Sequence, residues 1–324
     1  MQSFVALGLV TVLWALVGYT LAFGPDKGRL IGGLDFAGLA GVGAKPSVFA
    51  PTVPATAYMM FQLMFAIITP ALIAGAFAER MRFSGYLVVI GLWSLVVYAP
   101  VAHWVWGRGF LGAGGLHAND FAGGSVVHAN AGAATLATAL YLGKRRSYGS
   151  PALAPHNVPL VMLGAGILWF GWFGFNAGSA FSAGDLASNA FVNTQLGAAA
   201  AMLAWMIAER LPVGRATTVG AATGAVAGLA TITPASGYVE PWGALLIGAA
   251  AGFVCFAAEL ARGRLDYDDS LYVVGVHMVG GMVGVVLTGA LASLAINAAG
   301  ASVSLEQVGR RPCWPSSRWP TRSW

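Results

Sequence analysis

Charge is what this chain most lacks. Only 9% of its 324 residues are Asp, Glu, Lys or Arg, against 57% hydrophobic, whereas a soluble domain carries roughly 25% charged residues. Water cannot solvate such a surface over most of its area, so a soluble globular domain is excluded and a polytopic membrane protein is expected. Cysteine is nearly absent too. Cys255 lies inside an apolar run and Cys313 near the C-terminus, which provides neither a disulfide framework nor a spaced metal site. The sequence also has no phosphate-binding glycine loop and no nucleophile paired with a base, so no enzyme activity and no cofactor are expected. The net charge of +5 arises from short basic clusters between apolar runs. They act as topology signals and give no basic face for nucleic acid. The first apolar run, Phe4 to Phe23, lacks a basic leader and a small-residue cleavage site, and therefore reads as a span rather than a signal peptide.

Long hydrophobic runs are what the chain has in abundance. A bilayer core needs about 20 apolar residues per helix. Nine windows qualify, approximately 3–23, 54–78, 84–103, 120–143, 158–178, 187–209, 215–233, 240–262 and 272–297. Orientation follows from Lys and Arg. With the N-terminus inside, the inner loops hold Arg80, Arg82, Lys144, Arg145, Arg146, Arg210, Arg215, Arg262 and Arg264. The outer loops before the final tail hold only Lys27, Arg29, Lys45 and Arg108. An inner-membrane, multi-pass protein with its N-terminus inside is expected.

Two histidines stand in the middle of such runs, His128 in GGSVVHANAG and His277 in VVGVHMVGG. An ionisable ring at that depth is costly unless it faces a protein-lined pathway, so the pair marks a candidate functional site. A lone buried histidine is more often a packed side chain bonded to a carbonyl. Two at matching positions of the fourth and ninth spans are harder to explain that way. Those spans run in opposite directions, as an inverted repeat of five helices requires, with a site between the halves near the midplane. Gly123, Gly124, Gly132, Gly280, Gly281 and Gly284 flank the rings and permit close helix approach. Two histidines without a third ligand make a poor metal site, so a proton-relaying or substrate-lining pair is preferred. Four spans precede residue 144 and five follow, and the repeat arithmetic implies a further helix before Met1.

The strings DFAGGSVVHANAG (120–132), WFGFNAGSA (172–180), AFAERMRF (76–83), AFVNTQ (190–195) and GLATITPASGYVEPWGA (228–244) together resemble the ammonium transporter family (Amt/Mep/Rh), of bacterial Amt type. The resemblance implies an all-α ammonium-transporter fold over residues 1–300, with 1–143 as an incomplete first repeat and 158–297 as the second. It implies ammonium as substrate, a homotrimer in the lipid bilayer and, in relatives, a PII-type regulator at the cytoplasmic face. Carried over by position, Phe65, Trp106 and Ser179 match an extracellular cation site of aromatic faces and a hydroxyl, Phe65 and Phe175 match a gate, and His128 and His277 match a hydrogen-bonded pair in the pore. Asp120, Asn176 and Thr233 match supporting positions.

In this family a cation attracted to ring faces loses a proton and crosses a narrow apolar lumen as ammonia. The chain departs from the pattern at three places. The family's first and last helices have no counterpart. Tyr272 stands where many relatives carry an acid, five residues before the histidine. Residues 301–324 form an aberrant tail in which Arg, Pro and Trp crowd the stretch after Gly309, which cannot form an apolar span. An ammonium sensor built on the same site and an inactive transporter fragment are the alternatives to a transporter.

Overall fold

The structure is a computed structural model that describes residues 2–146, 148–149 and 155–299. The tail at 301–324 therefore lies outside the described residues. Among the described residues, nine long helical segments follow one another: α1 Gln2–Phe23, α2 Ala55–Phe77, α3 Phe83–Val105, α4 at 124–142, α5 Val158–Ala180, α6 Asp185–Val213, α7 Thr218–Ile232, α8 Pro241–Leu265 and α9 Val274–Leu291. Each corresponds to one of the nine expected spans. The α1–α2 connection carries two short antiparallel hairpins, β1 Asp26–Lys27 with β2 Ile31–Gly32 and β3 Pro46–Ser47 with β4 Ala50–Pro54.

Seven of the helices are long and apolar enough to cross a bilayer. The other two are α4 and α7: α7 is enclosed by its neighbours, and α4 is enclosed along its first half, while Leu140 and Tyr141 near its end are exposed. Along α7, Gly220, Ala222, Gly224, Ala225 and every residue from Ala227 to Ile232 are buried. On α4 the buried set includes Val126, Val127, His128, Ala131, Thr135 and Ala139. A helix walled in by protein need not be apolar all round, which explains how α4 can carry His128 and Asn130. The lipid-exposed helices show the opposite pattern, with Phe4, Val96, Phe170 and Val286 all largely exposed, as expected of chains solvated by acyl groups.

Small residues set the distances within the bundle. A Cβ added to Gly228 or Gly248 would fall 2.5 and 2.3 Å from the Gly197 carbonyl oxygen of α6, so α6, α7 and α8 touch backbone to backbone. Such contact supplies dispersion and packing where no hydrophobic force acts between helices. Pro234 ends α7 early, and residues 233–239 continue as buried irregular chain. Their carbonyls are satisfied by α6: Asn193 Nδ2 donates to Ser236 O at 2.9 Å and Val239 O at 2.8 Å, and Asn189 Nδ2 donates to Val239 O at 3.1 Å. Non-helical backbone at membrane depth survives only when it is covered and bonded in this way.

At the basic end of the bundle, the loops after α2, α4 and α8 meet on one buried carboxylate. Asp268, with a fully buried side chain, accepts from Arg145 Nε and Nη2 and from the Arg145 backbone N–H, each at 2.9 Å. Arg80 Nη1 lies 3.8 Å from it and reaches the Gly143 carbonyl at 2.8 Å, while Nη2 reaches the Gly75 carbonyl at 2.9 Å. Burial pushes the Asp268 carboxyl up, but the Arg145 hydrogen bonds and the Arg80 charge outweigh it and hold the group below its ordinary value.

Stability should follow that carboxyl. Because its folded value is depressed, its contribution is complete above the unfolded Asp value of about 3.9 and fades as pH falls below it. Asp268→Asn removes one partner of a buried ionic cluster and should cost about 3 kcal/mol. The measurement is the thermal unfolding midpoint in detergent at pH 7, where an unchanged midpoint would show that the cluster is dispensable.

Candidate functional site

The helices α4 and α9 cross in opposite directions, the first half of each against the second half of the other. Their contact is locally two-fold. A Cβ on Gly132 would sit 2.4 Å from Met278 Cβ, and one on Gly281 would sit 3.0 Å from the Ala129 amide nitrogen and 2.5 Å from the Gly124 carbonyl. In each helix the glycine four residues after the histidine receives the residue just after the other histidine. Both helices also open into a wide π turn at the histidine, Gly124–Ala129 and Val274–Val279, a feature frequent at functional sites.

This crossing brings His128 Nδ1 and His277 Nδ1 to 3.2 Å. Both rings are buried. One Nδ1 must carry the hydrogen and the other the lone pair, so the pair presents one Nε2 acceptor and one Nε2–H donor to its surroundings. His128 Nε2 is buried without a protein partner. Both rings line a partly open cavity of about 250 Å³, whose walls are otherwise apolar and include Met64, Ile68, Ile167, Trp172, Phe175 and Val226. The His128 ring stacks on Trp172 at 5.4 Å and on Phe175 at 6.0 Å between centroids.

The Trp172 indole is itself fixed. Its N–H donates to Thr233 Oγ at 2.9 Å, and Thr233 Oγ lies 3.3 Å from Asn176 Oδ1. Asn176 Nδ2 in turn donates to Thr194 Oγ at 3.0 Å. Asn176 and Thr233, expected as supporting residues, thus stand one layer behind the cavity wall and act through Trp172. Pro234 leaves Thr233 at the end of α7, where its hydroxyl can meet α5.

A second cavity of about 410 Å³ opens at the end of the bundle opposite the basic loops, lined by Phe65, Trp106, Asp120 and Ser179 among others. Phe65 and Phe175 meet at 4.4 Å between centroids, Phe65 facing the outer cavity and Phe175 the inner one. The two rings form the partition. Trp106 stands edge-on to Phe65 at 5.5 Å, and its indole N–H donates to the Asp120 carbonyl at 2.9 Å. Ser179 Oγ donates to the Phe175 carbonyl at 2.9 Å, which leaves its lone pairs free to accept from a donor in the cavity.

The helix containing Asp120 was expected to begin at that residue, but it begins four residues later. Gly123 precedes the first turn at φ 115°, a conformation open to glycine. This bend lets the carboxylate reach back under the helix end. Asp120 Oδ1 accepts from the Gly123 and Gly124 amides, both at 2.7 Å, and Oδ2 accepts from Ser125 N at 2.8 Å and Val126 N at 3.2 Å. The Ser125 hydroxyl also bonds Oδ2. The carboxylate is consumed in holding the helix N-terminus, which makes Asp120 a positioning group rather than a ligand.

Asp269 plays the corresponding part for α9, accepting from Val274 N at 2.8 Å and Leu271 N at 3.2 Å. Burial raises its carboxyl above the ordinary range, and these amides pull it partly back. The sequence reading missed it although a signal was present: Asp269 precedes His277 by the same eight residues that separate Asp120 from His128. Tyr272, five residues before His277, lies under the Arg262 guanidinium at 5.1 Å. Trp172, Gln62, Phe61 and Phe181 were also missed. Helical periodicity does not separate cavity-facing aromatics from packed ones.

The arrangement defines a class: a polytopic helical membrane protein with an outer aromatic vestibule and an inner apolar cavity bearing a hydrogen-bonded histidine pair. Residues 1–311 match the model of the Ammonium Transporter Family, and the chain belongs to that family. A protein of Mycobacterium tuberculosis named as an ammonium transporter is 51% identical over 305 residues, covering 87% of this chain and 64% of that one. One of Bacillus subtilis with the same name is 47% identical, covering 87% and 69%. Among solved structures, Mep2 of Saccharomyces cerevisiae superposes with a TM-score of 0.86 at 39% identity, over 93% of this chain and 68% of that one. The chain thus spans less than two thirds of the length of the mycobacterial relative.

The crossing geometry can be tested directly. Gly281→Val should force α4 and α9 apart, lengthen the histidine contact and cost about 1–3 kcal/mol. Gly289→Val on the same helix, where a Cβ meets nothing within 4 Å, should leave the unfolding midpoint unchanged. Equal midpoints for the two variants would show that the close approach carries no energy.

Proposed function

We propose that the protein carries ammonium across the membrane as ammonia, with the proton removed on the way. The observation that carries this reading is the partnered histidine pair facing a small apolar cavity, closed from a polar, ring-lined vestibule by two phenylalanines. Phe65, Trp106 and Ser179 form the cation site: ring faces attract a partly dehydrated ammonium ion and the Ser179 oxygen accepts one N–H. A bare cation is costly beyond the Phe65–Phe175 partition. Ammonia is not, since its lone pair accepts from the Nε2–H of one histidine and an N–H donates to the bare Nε2 of the other. The ion gives up a proton to water in the vestibule near the partition, ammonia passes the histidines, and it takes a proton from water at the far side.

In this reading the vestibule end is extracellular and the end bearing Arg80, Lys144 and Arg145 is cytoplasmic, in a plasma or inner membrane, which agrees with the distribution of basic residues. Residues 1–143 and 158–297 are the two inverted halves, a division supported by the reciprocal glycine contacts and the matched carboxylates. A homotrimer accords with α5, whose outer face is almost entirely uncovered.

Reconstitution into liposomes tests the proposal. An inward ammonium gradient should produce a change in internal pH, a current, or both, above that of protein-free vesicles. No signal above that background would overturn it. His128→Asp should abolish selective flux and, by breaking the buried imidazole pair, lower the unfolding midpoint as well, whereas unchanged flux would remove the pair from the pathway. Trp106→Leu should weaken discrimination against other cations while expression is kept. Loss of expression would instead assign the indole to packing.

A further inference from the structure

Among the described residues lining the vestibule, Phe181 alone takes a left-handed backbone, at φ 50° and ψ 27°. Bulky side chains rarely adopt that region, and residues held there cluster at ligand clamps. Several contacts enforce it. The Thr52 hydroxyl, from β4 and 129 positions away in sequence, donates to the Phe181 carbonyl at 2.5 Å. The Phe181 amide donates to the Gly178 carbonyl at 2.9 Å. The ring stands 5.0 Å from Tyr58 and 5.2 Å from Phe61, edge-on to the latter at 81°. Gly178 lets Phe61 lie flat against this turn, since a Cβ there would come within 2.6 Å of that ring.

The consequence is a continuous series of rings. Phe181 touches Phe61, Phe61 meets Phe65 at 5.0 Å, and Phe65 meets Trp106. Phe181 is half-buried: one side of it packs against the core beside Tyr58, and it also lines the vestibule. The turn follows Ser179 by two residues, so the backbone that presents the hydroxyl also presents the ring.

We propose that Phe181 is a specificity-determining wall of the cation site, placed by Thr52, which adds a ring to the cage and limits the size of the ammonium ion admitted. The inference rests on the cation-site reading above. Replacing the ring removes a cation–π face and opens room for alkyl groups.

The test uses the whole chain in proteoliposomes, with ammonium, methylammonium and ethylammonium as probes, alongside calorimetric titration of ammonium chloride. Phe181→Leu should raise the half-saturation concentration for ammonium about three- to tenfold with the maximal rate unchanged, and should narrow the preference for ammonium over ethylammonium. Phe181→Tyr should restore both. Thr52→Val, which leaves the ring in place but frees its anchor, should shift both quantities in the same direction by less. Unchanged half-saturation and preference in Phe181→Leu would overturn the proposal, as would a loss of maximal rate alone, the mark of loop packing. Should Phe181→Leu fail to accumulate, Thr52→Val decides by the same two readouts. A wild-type protein that binds ammonium without moving it counts against transport only, and the Phe181 comparison is then read from Kd.

Discussion

The structure depends on a single polar contact in a dry interior, the hydrogen bond between two imidazoles contributed by antiparallel helices. Both rings are buried, and a bond of 3.2 Å between Nδ1 atoms demands that the α4 and α9 backbones nearly touch. Gly132 and Gly281 make that approach possible, and the π turns rotate each histidine toward the crossing. Neighbouring elements follow from this requirement. α4 and α9 must be fixed along their axes, because a slide of one residue would turn a ring out of the crossing. The Asp120 and Asp269 carboxylates, gripping the first amides of each helix, supply that restraint.

Around the two cavities many of the buried polar groups are bonded to one another. Asp120 spends its oxygens on backbone amides and the Ser125 hydroxyl, and Asn176, Thr194 and Thr233 bond among themselves and to Trp172. Unsatisfied groups at this depth would each cost several kcal/mol. Among the described residues, the groups left open toward the cavities include the His128 Nε2 atom, the Gln62 Oε1 atom, the lone pairs of Ser179 and the faces of the aromatic rings.

Much of this was legible in the sequence, for identifiable reasons. Long apolar runs must be spans, so all nine helices were found with ends close to those observed. The places of His128 and His277 on the fourth and ninth spans foretold their opposite directions, and their matching positions in an inverted repeat foretold their meeting. The expected boundaries failed where local chemistry overrides hydropathy. α4 starts after Asp120 because Gly123 turns left-handed, α6 runs on to Val213 before Gly214 ends it, and α9 stops at Leu291. Asp269 was readable from its spacing and overlooked. Phe181 was not readable at all, because its place in the vestibule depends on Thr52 and Tyr58, far away in the chain, and no local pattern marks a ring that lines space rather than fills it.

If protons follow the histidine pair in the proposed transport, the single hydrogen shared by the two rings gives that route a memory. With only one hydrogen between the two Nδ1 atoms, a proton received at one outer nitrogen and released from the other leaves both rings in the reversed form. The pair is then poised for the opposite direction and cannot accept a second proton from the same side until it is restored. Such an element behaves as a ratchet with one tooth, so charge could cross it only in step with a resetting event, and never as a free stream.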